Sequence, residues 1–268
     1  MKRLLFILLG CLGLISFVGT TGCKSKKATS DASKKEISLA EETLPPPPPP
    51  PPAIDPSIKY NLPPNVNNRV RIKITTSLGE MIVELYNETP QHRDNFVKLV
   101  NDGFYNDLLF HRCIKGFMIQ GGDPNSRNAA PGAQLGVGGP GYTIPAEFNA
   151  ALLHKKGALA AARQGDMVNP TKASSGSQFY IVQGGLLNDA QLDQYQAYIQ
   201  RKNPSFAFTP EQRNAYKTTG GTPSLDMDYT VFGEVISGLD IIDKINAQPT
   251  LPGDRPQTDV KMTMEILK

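Results

Sequence analysis

Eight consecutive prolines, residues 45–52, separate this 268-residue chain into a leader and a longer part with the pattern of a folded domain. Such a run adopts polyproline II at about 3.1 Å per residue, which makes a semi-rigid rod of about 25 Å. Residues 24–44 before it are polar, of mixed charge and poor in large apolar groups, so they bury too little surface to offset the entropy of ordering. We therefore expect a disordered and polyproline tether over residues 24–66 and a folded domain over residues 67–268.

The first 23 residues have the pattern of a targeting segment. Lys2 and Arg3 precede "LLFILLGCLGLISFVG", an apolar stretch of the length usual for a signal peptide and short for a membrane-spanning helix. The stretch leads to "TTGC", which resembles a bacterial lipobox with Thr20 where leucine is usual. We expect residues 1–23 to be a lipoprotein signal peptide, with a lipid on Cys23 as the membrane anchor. Ordinary secretory cleavage, with Cys23 incidental, is the alternative.

A lipid anchor would make the tether a spacer that holds the folded domain away from the membrane. Two other interpretations of the proline run stay open. It could be a docking ligand for a partner, or an internal substrate of the chain's own domain.

The charge balance and the cysteines exclude other classes of protein. The formal net charge is +3, and removal of residues 1–23 leaves 26 basic against 25 acidic side chains. This balance, without a clustered basic face, argues against a nucleic-acid partner. With Cys23 lipidated, Cys113 is the one thiol of the mature chain, so no internal disulfide can form. Its apolar neighbours predict a core residue and not a nucleophile.

Alternating apolar residues predict strands at both ends of the domain. Val70, Ile72 and Ile74 share one face of a half-exposed strand near the start, and "TVFGEVI" and "VKMTMEILK" are strands near the end. Thr89 can cap a helix that starts at Pro90, and "GLDIIDKINA" is a second short helix. Strands and helices do not alternate regularly, which favours a mainly β, antiparallel fold. A closed barrel would remove the edges of such a sheet.

Residues 188–221 have a different character and predict a helical insertion in two pieces, broken at Pro204. Four apolar or aromatic residues fall on one helical face: Leu192, Tyr195, Tyr198 and Ile199. We expect this stripe to pack the insertion on the surface of the barrel and not to bind a cofactor.

The segment "FHRCIKGFMIQGGD", residues 110–123, places Arg112 and Gln120 inside an apolar run. A buried arginine is costly unless it is paired. Arg112 is therefore either a buried structural ion pair or a residue that lines a cleft. Asp123 follows two glycines without a second ligand at metal spacing, so we interpret it as a turn residue. The glycine-rich residues 136–141 lack the lysine and helix of a phosphate loop and predict a flexible loop.

Three blocks together resemble the cyclophilin peptidyl-prolyl isomerases and occur in that family's order: "FHRCIKGFMIQGGD", "SSGSQFYIV" at residues 174–182 and "LDMDYTVFGEV" at residues 225–235. The resemblance covers residues 68–268, apart from the insertion and a widened loop at residues 164–173. It implies a closed eight-stranded antiparallel barrel capped by two helices. It also implies a surface groove for extended or unfolded polypeptides that contain proline. No cofactor and no metal are implied, and a monomer is our default.

The resemblance also implies which residues form the site. Arg112 matches the catalytic arginine. The residues that match the proline pocket and the contacts to the substrate backbone are Phe117, Met118, Tyr180, Leu225, Gln120, Gln178, Ala162 and Arg163. Tyr229 stands where the family has a pocket histidine, and Tyr180 where it has a phenylalanine. We expect their hydroxyls to make the slot slightly more polar.

The chemistry can be argued from the bond itself. Rotation about the bond before proline crosses a barrier of about 18–20 kcal/mol, because resonance makes it partly double. In the twisted state the proline nitrogen regains its lone pair, so a fixed donor such as Arg112 would stabilise the transition state more than the ground state. A barrier lower by about 6–8 kcal/mol gives a rate gain near 10⁵. No proton transfer is needed, so we expect His111 to be structural.

These observations predict a lipid-anchored isomerase of the bacterial cell envelope, facing the periplasm, that accelerates the folding of exported proteins. Two alternatives stay open. One is a non-catalytic peptide-binding or chaperone module with the same fold, since binding alone does not need Arg112. The other is a scaffold whose insertion recruits a partner.

Overall fold

In a computed structural model of the chain, residues 62–267 are described. The predicted signal peptide, its lipidation site Cys23 and the tether up to residue 61 lie outside the described residues. Residues 62–70 form no helix or strand. Pro63 contacts the start of the first strand, because Arg71 Nη2 donates to its carbonyl at 2.7 Å. Within the segment itself, Asn65 exchanges two hydrogen bonds with the backbone of Arg69.

The described residues form eleven strands and four helices. The strands are β1 (Arg71–Thr76), β2 (Gly79–Leu85), β3 (Leu108–Leu109), β4 (Arg112–Ile114), β5 (Met118–Gly121), β6 (Thr143–Ile144), β7 (Ala158–Ala161), β8 (Ser174–Ser175), β9 (Phe179–Val182), β10 (Val231–Ser237) and β11 (Lys261–Leu267). The helices are α1 (Pro90–Asn101), α2 (Asp189–Gln200), α3 (Pro210–Thr218) and α4 (Leu239–Asn246), with short 3-10 turns at Pro124–Ser126 and Pro223–Leu225.

Nine strands form one curled antiparallel sheet in the order β3-β11-β1-β2-β10-β7-β9-β5-β4, and β6 pairs with β8 in a separate ribbon. The two end strands of this order, β3 and β4, are separated in the chain by only two residues, Phe110 and His111. The predicted mainly β, antiparallel class is confirmed. The closed eight-stranded barrel stays a prediction, because the sheet is described with nine strands and no pairing joins its two ends.

The two faces of the sheet bury different sets of side chains. One face forms the main core, where α1 and α4 pack; Ile72, Ile119, Leu159 and Ile181 lie there with 0% exposure. The opposite face carries a smaller cluster, whose members include Met118, Ala158, Ala160, Ala162, Tyr180 and Val182. This second cluster lies beneath the candidate site. Cys113 belongs to the main core with 4% exposure, as its apolar neighbours predict.

Two details of the first elements differ from the sequence pattern. By alternation with Ile72 and Ile74, Lys73 falls on the exposed face of β1, but it is only 7% exposed, and its ammonium lies 2.5 Å from Glu265 on β11. Thr89 occupies the N-cap of α1 but makes no capping hydrogen bond. Glu147, far away in the chain, caps the helix instead by accepting from the amides of Gln91 and His92 at 3.1 and 3.0 Å.

The predicted insertion forms two helices, as its broken pattern indicated. Both helices begin with a capping box, at Asn188 and at Thr209. The insertion has its own small core: Leu192, Ile199, Phe206, Phe208 and Tyr216. Tyr198 was expected on the packed face but is 42% exposed and does not belong to that core.

Within residues 62–267, every helix is too short or too polar to span a membrane.

The connection after β5 requires glycine for two reasons, which gives a test of the fold. Gly122 has φ +88°, and a Cβ there would lie 2.2 Å from the Ser177 carbonyl oxygen. Gly132 has φ +76°, and a Cβ there would have no atom within 4 Å. Alanine at either position incurs the left-handed backbone cost of about 1–2 kcal/mol. Gly122→Ala adds the clash, so we expect it to destabilise the domain by roughly 3 kcal/mol or more. Urea unfolding of both variants measures the difference, and equal midpoints would show that the close approach is not a constraint.

Candidate active site

The segment that holds Arg112 and Gln120 is a hairpin and not one strand. β4 and β5 are joined by a turn in which Gly116 has φ +76°, so the extended run is interrupted at this glycine. The pairing places Arg112 directly opposite Gln120, and Gln120 directly opposite Tyr180 on β9. Three of the predicted site residues therefore lie in one row across three neighbouring strands.

A cavity of about 160 Å³ opens beside this row. Nine residues line it, and all nine are predicted site residues: Arg112, Phe117, Met118, Gln120, Ala162, Arg163, Tyr180, Leu225 and Tyr229. The tenth predicted residue, Gln178, lines an adjoining cavity of about 650 Å³ that shares Gln120, Ala162 and Arg163. An apolar cavity of about 150 Å³ accepts a benzene ring, so the smaller cavity suits one small ring.

Arg112 stands partly in solvent. Its side chain is 43% exposed, and its Nε lies 3.3 Å from Asp254 Oδ2. The interpretation of Arg112 as a buried ion pair is therefore wrong. Asp254 also accepts the amide of Cys113 through its carbonyl at 2.8 Å. Sequence reasoning missed Asp254, because it lies in a distant loop and outside the three family-like blocks.

Two glutamine side chains connect the two cavities. Gln120 Nε2 donates to Gln178 Oε1 at 3.0 Å, and Gln178 Nε2 donates to the Gly138 carbonyl at 2.7 Å. This chain of amides orients both glutamines before any ligand binds. Gln178 is only 7% exposed, so its position is set by the protein.

The glycine-rich loop that borders the larger cavity is held by Asp123. The buried carboxylate of Asp123 accepts the amides of Gly136, Val137 and Gly138 and also the amide of Asn125. Asp123 is therefore a turn residue, as predicted, and it anchors part of the loop that was expected to be flexible. Within residues 62–267, no group of three or more His, Cys, Asp or Glu side chains could hold a metal ion.

The side chain of Arg163 supports the wall of the pocket that Tyr229 forms. That side chain is 4% exposed, and its guanidinium carbon lies 4.3 Å from the centre of the Tyr229 ring. Nε donates to the Asp228 carbonyl at 2.9 Å, and Nη1 donates to Asp166 at 2.7 Å. These contacts hold Tyr229 in place. The amide of Ala162 donates to the Gln178 carbonyl, so Ala162 contributes its methyl group to the cavity.

The hydroxyl of Tyr180 belongs to a buried polar network. It lies 3.0 Å from His154 Nε2, and His154 Nδ1 lies 2.8 Å from Asp226 Oδ1. Tyr216, on α3, donates to Asp226 Oδ2 at 2.6 Å. A carboxylate beside Nδ1 places the imidazole proton there, so Nε2 accepts from Tyr180.

This network changes one expectation about the slot. Because the Tyr180 hydroxyl is hydrogen-bonded to His154, Tyr180 presents its ring to the cavity. The expectation that this hydroxyl makes the slot more polar is therefore wrong. Burial also raises the pKa of Tyr180 well above its usual range, which keeps the hydroxyl protonated. Sequence reasoning missed His154, Asp226 and Tyr216, since no local pattern shows that they meet.

His111 next to Arg112 is a core side chain. It is 3% exposed, and desolvation by burial lowers its pKa from 6.5 to about 4. The imidazole is therefore neutral at pH 7, in agreement with a structural role.

Comparison with known proteins places this geometry in a family. Residues 71–265 match the family model described as cyclophilin type peptidyl-prolyl cis-trans isomerase/CLD. A Staphylococcus saprophyticus protein with the provisional name peptidyl-prolyl cis-trans isomerase is 33% identical over 207 residues, which cover 75% of this chain and 93% of that protein.

Solved structures show the same fold. The crystal structure of a Cryptosporidium parvum cyclophilin type peptidyl-prolyl cis-trans isomerase superposes with a TM-score of 0.53 at 23% identity, over 75% of this chain and 98% of the other. A crystal structure of the same protein in the presence of the dipeptide Ala-Pro gives a TM-score of 0.51 at 22% identity, over 74% and 99%. At this identity the likeness concerns the fold alone.

The low pKa of His111 predicts a pH dependence of stability. Between pH 6.5 and about 4 the unfolded chain binds a proton at this position that the folded domain does not bind, so stability falls as the pH falls through this window. The full difference is on the order of 3 kcal/mol. We expect His111→Gln to make the unfolding free energy depend less steeply on pH between pH 6.5 and 4, with parallel curves at pH 7–8 as the internal control. Identical slopes in the acid window would contradict this account.

Proposed function

The chain belongs to the cyclophilin-type peptidyl-prolyl cis-trans isomerases and has their enzyme activity, and we propose that Arg112 catalyses the isomerisation at the 160 Å³ cavity. The observation that carries this proposal is the half-exposed guanidinium at a ring-sized, partly apolar cavity, in one row with Gln120 and Tyr180. A purely structural arginine would not need that position.

The cavity supports a proline ring as its occupant. Phe117, Met118 and Leu225 contribute apolar side chains, and Tyr180 contributes a ring whose hydroxyl is directed to His154. The Ala-Pro dipeptide present with the Cryptosporidium parvum relative supports the same class of ligand. We take the substrates to be unfolded or extended polypeptides that contain proline, bound by a monomer without cofactor.

The catalytic step follows from the change in the peptide bond. When the bond before proline twists, resonance is lost and the ring nitrogen becomes a hydrogen-bond acceptor. Arg112 would donate to that nitrogen, and an arginine keeps its charge in proteins. Asp254 engages Nε and leaves the terminal Nη groups available to the substrate. A donor aimed in advance at the twisted state stabilises it more than the planar ground state.

The adjoining cavity supports a longer peptide. It continues from Gln120, Ala162 and Arg163 to the loop at Gly136–Gly139. The amide chain from Gln120 through Gln178 to Gly138 spans the border between the two cavities. We propose that Gln120 and Gln178 bind the backbone of the residues before the proline, so that the peptide is held while the bond rotates.

The framework of the site supports closure of the sheet into the eight-stranded barrel. On one side the Phe110 amide donates to the Val260 carbonyl, and on the other the His111 amide donates to the Gln120 carbonyl, both at 2.9 Å. The chain thus passes directly from one end of the sheet to the other. Counted as one bent strand, β3 and β4 would complete an eight-stranded barrel.

Substitution of Arg112 tests the mechanism. In a protease-coupled assay on an Ala-Pro tetrapeptide, we expect Arg112→Ala in the full-length chain to lose about 10²–10³ in kcat, the scale for removal of one preorganised donor. Binding of the peptide should persist, because the apolar walls remain. Lys115→Ala removes an exposed cation from the same hairpin and should keep full activity.

Two outcomes would contradict this role for Arg112. An Arg112→Ala variant with wild-type kcat would show that the guanidinium does not act on the transition state. A wild-type protein that binds proline peptides without accelerating isomerisation would favour the non-catalytic peptide-binding or chaperone module.

We also propose that the chain is a lipid-anchored protein of a bacterial cell envelope, facing the periplasm, where it assists the folding of exported proteins. The support comes from the sequence: the basic start, the apolar stretch, the small residues before Cys23 and the tether. A rod of about 25 Å would keep the groove accessible above a membrane surface.

The anchor has a direct test. In bacterial cells grown with a labelled fatty acid, Cys23→Ser should abolish labelling and move the protein out of the membrane fraction. Cys113→Ser is the matched control, because Cys113 is 4% exposed in the domain core and should not affect labelling. Wild-type protein without label would exclude the anchor and leave ordinary secretory cleavage as the interpretation, and labelled Cys23→Ser protein would place the lipid on another residue.

A further inference from the structure

The insertion packs against the segment that carries two walls of the proline pocket. Leu225 and Tyr229 of this segment line the cavity. The three residues between them face the insertion: Asp226 bonds Tyr216, Met227 packs on the insertion core, and Asp228 pairs with Lys202 at 3.1 Å. The same five residues therefore contact the pocket on one side and the insertion on the other.

A second connection runs through the interior of the protein. Tyr216 donates to Asp226, Asp226 accepts from the ring and the backbone of His154, and His154 accepts from Tyr180 in the pocket. Tyr216 and His154 are 0% exposed, Asp226 4% and Tyr180 5%, so solvent does not substitute for a lost partner. The rings of His154 and Tyr180 stack with centres 6.0 Å apart and planes 15° from parallel.

We propose that Tyr216 is a positioning residue of the isomerase, so that the insertion contributes to the geometry of the proline pocket. By holding Asp226, Tyr216 fixes His154, and His154 fixes the ring and the hydroxyl of Tyr180. This inference rests on the function proposed above.

The energetics favour transmission along this path. Each oxygen of the Asp226 carboxylate is engaged: Oδ1 by His154, and Oδ2 by Tyr216. Loss of the Tyr216 hydroxyl leaves a buried carboxylate oxygen without its donor, which is costly in a low-dielectric interior. His154 is the neighbouring group that can compensate, and any shift of its ring disturbs Tyr180, which stacks on it.

The inference differs from a scaffold role for residues 188–221. A scaffold that only recruits a partner would leave isomerisation unchanged when the insertion is altered. A positioning role makes the reaction sensitive to a single hydroxyl on α3 that does not line the cavity.

The test compares hydroxyl deletions in the full-length chain. We expect Tyr216→Phe to lower kcat/KM on an Ala-Pro tetrapeptide about tenfold, mainly through a higher KM. A tenfold change corresponds to the loss of about one buried hydrogen bond. Tyr198→Phe removes a hydroxyl from a 42% exposed tyrosine of the same insertion and should have wild-type kinetics. Phe206→Leu weakens the insertion core without touching Asp226, so it should lower the melting temperature and keep kcat/KM.

A double-mutant cycle separates transmission from general damage. In a Tyr180→Phe background the path ends at His154, so Tyr216→Phe should cause no further loss there. If Tyr216→Phe folds poorly, Asp226→Asn is a second variant, because it keeps the size of the side chain. We expect Asp226→Asn to cause the same rise in KM.

The outcomes are distinct. Wild-type kcat/KM in Tyr216→Phe, or full additivity with Tyr180→Phe, overturns the inference while the isomerase activity stands. If the wild type binds the peptide without turnover, the proposed function fails. Calorimetry then still decides, since about tenfold weaker peptide binding by Tyr216→Phe supports the inference and equal binding overturns it.

Discussion

Backbone pairing between β4, β5 and β9 is the constraint on which the site depends. It places Arg112 opposite Gln120 and Gln120 opposite Tyr180, so a cation, an amide and an aromatic ring share one side of the sheet. The alternate residues of the same strands, such as Ile119 and Ile181, are fully buried in the main core on the other side. A shift of one residue in either register would exchange these two sets, so the packing of the core fixes the geometry of the site.

Carboxylates that are buried or partly buried organise the loops around this framework. Asp123, with 0% exposure, collects the amides of the glycine-rich loop, and Glu147 caps α1 from a distant part of the chain. Asp226 joins the insertion to the pocket wall. In each case backbone N–H donors, polar side chains or both satisfy the acidic group, which is the condition for burying it at acceptable cost. The walls of the two cavities therefore depend on tertiary hydrogen bonds more than on local preference.

The differences between pattern and structure share one physical origin. Thr89 occupies the N-cap and has a hydroxyl that could cap the helix, yet Glu147 accepts the helix amides instead. Lys73 falls on the outer face of β1 by alternation, yet it is nearly buried and pairs with Glu265 on the neighbouring strand. Tyr180 has a hydroxyl where the family has a phenylalanine, yet this hydroxyl is hydrogen-bonded to His154 and does not face the cavity. In all three cases a group far away in the sequence decides what the local residue does.

The amino-acid sequence by itself determined the mainly β, antiparallel class, the two-part helical insertion and the ten candidate site residues, nine of which line one cavity. These features follow from short-range periodicity, from capping signals and from three family-like blocks, each of which is a short run of neighbouring residues. Only the tertiary structure decided that Asp254 pairs with Arg112, and that His154, Asp226 and Tyr216 stand behind Tyr180. Those contacts join residues that no local pattern relates, because they depend on how the strands and the insertion pack together in three dimensions.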